Sequence, residues 1–184
     1  GRLRTFSGEL PSREGVPYGQ KIVAVFAGLV ALGGLYFTVF SPAVAASRAH
    51  DGLNSSLPDE ERLRAFEGAL KHFTFDRTSL RQDLAESATY GLNGSAQERE
   101  ISEEFVRREL ESEIFENSDN VRTLFLYGNF LFSRGFLSEA AQNLEVARDL
   151  APSRKNVRRL LARVYVKAGD YEKALEEYKT LYEL

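Results

Sequence analysis

Thiol chemistry is closed to this 184-residue chain, because the sequence contains no Cys, and imidazole chemistry would rest on two residues. Without thiols there is neither a disulfide framework nor a thiolate metal site. His50 and His72 are the two histidines. His72 falls at the end of a helical pattern, where a cation complements the helix dipole. It has no second His or acidic cluster beside it to complete a ligand set, and it reads as structural. Carboxylates are densest at Glu103, Glu104, Glu109, Glu111 and Glu113, interleaved with Arg107 and Arg108. Paired carboxylates in a cleft can do acid–base work. Here the spacing instead matches i,i+4 ion pairs, Glu103–Arg107 and Glu104–Arg108, on a solvated helical face. No nucleophile–base constellation, metal set or phosphate loop is present, so the reading is a non-enzymatic chain without a cofactor. The formal net charge of −3 does not fit a nucleic-acid binder.

Two segments carry residues better suited to binding than to catalysis: Arg122, Phe125, Asn129 and Phe132, then Asn156, Arg159, Arg163 and Lys167. The segments repeat. Gly135 and Gly169 stand 34 positions apart, as do Ala140 and Ala174, Leu131 and Tyr165, and Leu144 and Tyr178. That is the tetratricopeptide period, in which each unit is a helix–turn–helix stacked on its neighbours. The first copy, 121–154, runs Leu124, Tyr127, Gly128, Leu131, Ala140, Leu144, Ala147 and Pro152. The second, 155–184, keeps Leu161, Ala162, Tyr165, Gly169, Tyr171, Ala174 and Tyr178 and stops short of its proline. In such arrays the first helix of each unit lines a concave face, and the eight binding candidates fall on those helices. Their mixture of basic and aromatic groups suits an acidic or C-terminal peptide segment, or an anionic glycan. A solvated inner wall without a ligand carries equal weight.

The repeats need particular elements around them. Gly128 and Ala162 let the two helices of a unit approach, and Ala140, Ala147 and Ala174 let neighbours cross closely. Gly135 and Gly169 close the turns. Asp170 and Ser153 are candidate N-caps. Two repeats are marginal alone, because each buries its apolar face on a neighbour. The sequence 58–117 supplies a helical region before them. One helix starts at Pro58, with Leu63, Phe66, Ala69, Leu70 and Phe73 as its stripe. A second is capped by Asp76 and runs to Ala88. After Gly91 and Gly94, Ser95 and Glu98 form a capping box for a helix over 96–116, read as a degenerate second helix of a preceding unit. At the far end, Tyr178, Leu181, Tyr182 and Leu184 lack a covering helix, which with the absence of Met predicts a piece of a longer chain.

The N-terminal third is of another kind. Lys21 is followed by nineteen uncharged residues, 22–40, IVAVFAGLVALGGLYFTVF. At ~1.5 Å per residue they span roughly 28 Å, one hydrocarbon core, and their large apolar members favour insertion by roughly 3–7 kcal/mol. The division is therefore a flank at 1–21, a transmembrane helix at 22–41 in the lipid bilayer and a linker at 42–57, with Pro42 ending or kinking the span. Arg2, Arg4, Arg13 and Lys21 precede the span and only Arg48 closely follows it. The positive-inside rule then places the N-terminus in the cytoplasm and the large domain outside the inner or plasma membrane, in the periplasm of a diderm cell. Ala24 and Gly28, and Ala27 and Ala31, form small-xxx-small pairs that permit close helix approach in lipid. A cleaved signal peptide is the rival reading, with Ala43-Val44-Ala45 as the cleavage region, although the apolar run exceeds the usual length. The fold class is all-α: one transmembrane helix followed by an α-solenoid.

The order of these pieces resembles the C-terminal part of bacterial O-antigen ligase/polymerase-family membrane proteins. The residues that carry the resemblance are YFTVFSPAVAASRA (36–49), RLRAFEGALKHFTFDRTSLRQDLAESA (62–88) and the repeats from Val121. It implies a role in cell-surface polysaccharide assembly. It transfers no catalytic residue, because the family's reactive loop precedes the region that matches. A stand-alone single-span scaffold of an envelope complex and a secreted protein released by signal cleavage stay open beside it.

Overall fold

A computed structural model describes residues 18–72, 76–91 and 96–183, with side chains for all of these except 91 and 96–98. Phe73, Gly94, Ser95, the Glu98 side chain and Leu184 therefore lie outside the described residues. Those residues hold nine α-helices, one π-helical turn and no strand. The chain divides into two compact units, Gly1–Phe40 and Ser41–Leu184.

In the first unit, α1 spans Tyr18–Leu35 and the π-helical turn spans Tyr36–Phe40. Among the described residues, the helical stretch that begins at Tyr18 supplies the one run long and apolar enough to cross a membrane, with mean hydropathy 2.2 over its most apolar eighteen-residue window and 0 % of that window buried. A water-soluble helix would turn Ile22, Val25, Phe26, Leu29 and Val30 onto a core. All five are exposed here. Thr38 donates back to the Gly34 carbonyl at 2.7 Å, satisfying its hydroxyl within the helix.

The second unit stacks four helical hairpins. Its first helix, α2 (Ser41–Leu53), replaces the linker expected over 42–57. Polarity hid it. Its buried stripe is Ser41, Ala45, Ala49 and Gly52, all small, at helical spacing. Small residues there allow close packing: a Cβ on Gly52 would sit 2.7 Å from the Phe66 ring. Pro42 does not end the helical run: α2 continues through it to Leu53, directly after the π-helical turn that ends at Phe40. The partner of α2 is α3, Asp59–Lys71, with three acids in its first turn and Phe66, Ala69 and Leu70 buried. Arg62 is buried too, and it ties three elements by donating to the Gly52 carbonyl, Asp59 and Ser87.

The second hairpin joins α4 (Arg77–Gly91) to α5 (Ala96–Glu116). Asp76 caps α4 by accepting from the Ser79 amide at 3.1 Å. The solvated face expected over 103–113 holds only in part. Glu103 pairs with Arg107 at 3.6 Å, but Arg108 reaches Glu109 instead of Glu104. Glu113 is 1 % exposed. Arg81 of α4 meets it at 2.7 Å, and Thr78 and Asn117 donate to its other oxygen at 2.7 and 2.9 Å. A buried charge is tolerated when paired and hydrogen-bonded in this way.

The last two hairpins are α6 (Val121–Arg134) with α7 (Leu137–Leu150), and α8 (Lys155–Ala168) with α9 (Tyr171–Glu183). The first, or A, helix of each of these hairpins, α6 and α8, ends on a glycine in the left-handed region, Gly135 at φ 90° and Gly169 at φ 84°. The following amides, of Phe136 and Asp170, bond back to the Leu131 and Tyr165 carbonyls at 3.0 and 2.9 Å, closing Schellman ends. A Cβ on Gly128 would meet Leu144 at 2.7 Å, so the α6–α7 crossing needs a glycine there. Asn120 caps α6 and Asp170 caps α9. Ser153 does not cap α8. Arg154 occupies that position, with no side-chain cap bond.

The 34-residue frame extends back through α5. Val106, Ala140 and Ala174 are frame-equivalent, and all three are buried. Leu110 and Leu144 are equivalent and fully buried. Glu111 and Glu145 are equivalent as well, and each accepts from a tyrosine of the next A helix, Tyr127 at 2.6 Å and Tyr165 respectively. Burial, followed by the adjoining carboxylate, holds both phenols well above their ordinary range. The carboxylates are in register but the tyrosines are not, since Tyr165 corresponds to Leu131; each bond nevertheless joins a hairpin to the one before.

Candidate functional site

Three A-type helices, α4, α6 and α8, are neighbours in the order α4–α6–α8. Helical spacing puts Asp76, Ser79, Asp83, Glu86 and Tyr90 on one stripe of α4. The same spacing aligns Arg122, Phe125, Asn129 and Phe132 on α6, and Asn156, Arg159, Arg163 and Lys167 on α8.

The contacts distinguish these residues. Arg122 reaches Glu86 of α4 at 3.2 Å. Asn129 donates to the Tyr90 hydroxyl at 2.8 Å. Phe125 packs against the core. These three join α6 to its neighbours and are partly occupied. The half-buried ring of Phe132 is different. The Arg163 guanidinium stands 5.3 Å from its centroid and the Lys167 ammonium 5.0 Å. Exposed cation–π contacts of this kind contribute about 0.5–1 kcal/mol each. That is enough to bias two long side chains toward one place without neutralising them. Arg163 and Lys167 are exposed, and no carboxylate is paired with either among the described residues. Arg159, one turn earlier on α8, and Asn156 are exposed as well. The eight predicted residues thus separate into a tether to α4 (Arg122, Asn129), a packing residue (Phe125) and a cationic cluster over one aromatic ring (Phe132, Arg163, Lys167, with Arg159 alongside).

Sequence reasoning missed the α4 side of this face. Tyr90, Glu86 and Asp83 border α6 because α4 serves as the A helix of the preceding hairpin. The Asp83 carboxyl is raised by burial and then by Glu86 and Asp76, with Arg122 working in the opposite direction. The face is therefore polarised, acidic along α4 and basic along α8. A phosphate, carboxylate or acidic side chain laid against Phe132 would meet the unneutralised charge of Arg163 and Lys167. Guanidinium is suited to bidentate capture of such a group.

The rest of the unit holds this face in place. On α9, Glu177 is 5 % exposed and receives Arg148 of α7 at 2.8 Å and Arg158 of α8 at 2.6 Å. That bridge fixes α8 between its neighbours. It also holds the Arg148 guanidinium even further above its ordinary range, through Asp149 first and Glu177 in addition. Among the described residues no group of three or more His, Asp or Glu could hold a metal ion.

Residues 116–182 match the tetratricopeptide repeat family. The chain carries tetratricopeptide repeats. The match takes in α6–α9 and starts at the last residue of α5, so the α2–α3 and α4–α5 hairpins lie before it. Among curated proteins none matches the chain. Tetratricopeptide units are interaction modules that generally bind protein partners through their stacked helices, which makes a protein-interaction scaffold the general role of this region.

Proposed function

We propose that the chain is a membrane-anchored tetratricopeptide scaffold that holds an anionic segment of a protein partner against Phe132, Arg163 and Lys167, outside the cytoplasm, in a protein of cell-surface polysaccharide assembly. The observation that carries the reading is the pair of exposed, unneutralised cations arranged over one half-buried ring. Anchoring is supported by the uncovered apolar surface of α1. The outward orientation is supported by Arg2, Arg4, Arg13 and Lys21 preceding that helix. The polysaccharide context rests on the resemblance of 36–49 and 62–88 to the O-antigen ligase/polymerase family. An anionic glycan would satisfy the same cations. A protein segment is favoured because tetratricopeptide units generally bind proteins.

Each part has its test. The full chain, extracted from membranes in mild detergent, should retain a partner that Arg159→Glu combined with Arg163→Glu releases. An unchanged partner set would remove this face from the reading. Alkaline phosphatase fused after the last residue should be active in intact cells, and an inactive fusion would reverse the orientation. The gene should encode further hydrophobic spans upstream of Gly1. An initiation codon immediately before Gly1 would leave an anchored scaffold and discard the polysaccharide context.

A further inference from the structure

A cavity of about 310 Å³ opens between α2 and α4. Pro42, Ala46 and Leu53 of α2 and Leu80 of α4 give it apolar walls, α2 also contributes His50, and the α4 side carries Asp76 and Asp83. Asp76 is engaged in capping α4. Asp83 is the chemically distinctive group. Burial and the nearby carboxylates of Glu86 and Asp76 raise its carboxyl, with partial relief from Arg122. Three carboxylates, Asp83, Glu86 and Asp76, stand against two basic groups, Arg122 and the His50 of the cavity lining, and the walls leading to them are largely apolar. Asp83 also shares its α4 stripe with Glu86 and Tyr90, which contact α6. The α4 wall of the cavity thus shares its stripe with the residues that border α6, at the acidic end of the charge gradient.

An aliphatic stem ending in a cation fits both halves of this environment. Lys and Arg lay their methylenes along apolar surface and keep the charged head at a polar rim. A volume of 310 Å³ lies at the lower end of small-ligand sites, and it suits one long side chain rather than a bulky cofactor. Helices pack roughly 8–10 Å apart, so α8 lies two spacings, about 16–20 Å, from α4. An extended chain covers that distance in about five or six residues.

Resting on the reading above, we propose that this cavity receives a Lys or Arg side chain of the partner segment whose acidic end lies on Arg163 and Lys167, the two charges standing about five or six residues apart. The occupant is accordingly an extended, charge-segregated peptide, basic at its α4 end and acidic at its α8 end.

The test uses the full chain in detergent micelles and three dye-labelled octapeptides of one composition. Two carry Lys-Leu at one end and Asp-Glu at the other, in opposite chain directions. The third interleaves the same charges. Fluorescence anisotropy should show one segregated peptide binding about tenfold tighter than the interleaved one. Asp83→Asn, which removes the charge, and Ala46→Phe, which fills the cavity from an exposed position, should each abolish most of that preference while circular dichroism stays unchanged. Changing the peptide Lys to Gln should make wild type and Asp83→Asn bind alike. Equal binding of segregated and interleaved peptides, or cavity variants within twofold of wild type, would overturn the proposal. If the cavity variants are silent while Arg163→Glu abolishes binding, the cavity inference fails and the cationic site stands. If Arg163→Glu is silent too, or no peptide binds, both fail.

Discussion

Replacing Glu113 with Ala should loosen the α4–α5 hairpin selectively. The Glu113 side chain is 1 % exposed and that of Arg81 4 % exposed, with 2.7 Å between them. Removing the carboxylate strands the guanidinium and leaves the Thr78 hydroxyl and Asn117 amide without their acceptor. Breaking a buried pair costs about 3–5 kcal/mol. Part of that is recovered here, because Glu116 remains at 3.1 Å and Glu109 at 3.5 Å from Arg81. About 3 kcal/mol is a fair net figure, since Glu116 is half exposed and its interaction is screened by water. Stacked repeats feel such a loss through nearest neighbours. Hydrogen exchange of the full chain in detergent should therefore lose about a hundredfold of protection in α4 and α5, with α8 and α9 little changed. Arg81→Leu together with Glu113→Leu should restore most of the protection, because an apolar pair strands no charge. The reasoning is refuted by a single-variant cost below about 1 kcal/mol, by a double variant as unstable as the sum of the singles, or by α9 opening as much as α4.

Three further outcomes follow from individual contacts. Gly135→Ala and Gly169→Ala should each destabilise by about 1–2 kcal/mol in chemical denaturation, purely through backbone strain, since a Cβ at either position meets nothing within 4 Å; no change would contradict the left-handed assignment. Tyr127→Phe should cost about 1 kcal/mol by removing the bond to Glu111 at 2.6 Å, read as a lower denaturation midpoint with an unchanged slope. Asp83→Asn should raise the melting temperature at neutral pH. The Asp83 carboxyl is held above its ordinary value by burial, Glu86 and Asp76, against Arg122, so its contribution is favourable below the ordinary value of 3.8 and is lost as pH rises through the folded value. The advantage of Asn over Asp should consequently shrink as the pH falls toward about 3, and a pH-independent difference would refute the assignment.

The two helical pairs from Val121 onward were legible because their signal is a period. Glycine, alanine and aromatic positions recur at 34 residues, and each does the same job twice. α5 was legible for the same reason in weaker form, since Val106, Leu110 and Glu111 stay in frame. α4 was not assigned as an A helix because it falls out of frame: α5 begins at Ala96, well before the position equivalent to Leu137, which displaces α4 toward the N-terminus. The acidic half of the face went unseen with it. α2 was read as linker because its buried stripe is Ser41, Ala45, Ala49 and Gly52, too small to register as hydrophobic. Glu113 looked like one more surface carboxylate, since its partner Arg81 is 32 residues away. Phe132, Arg163 and Lys167 were named from repeat position, but only the structure separates them from Arg122 and Asn129, whose polar ends are occupied by α4.

The most direct measurement is site-specific photo-crosslinking of the full chain in living cells. A photoreactive phenylalanine replaces Phe125 on the α6 stripe or, as a control, Tyr182, which is 92 % exposed on α9. The account predicts a discrete protein adduct from position 125, lost when Arg163→Glu and Lys167→Glu are added, and no equivalent adduct from position 182. The same adduct from both positions, or one indifferent to the two charge reversals, would contradict it.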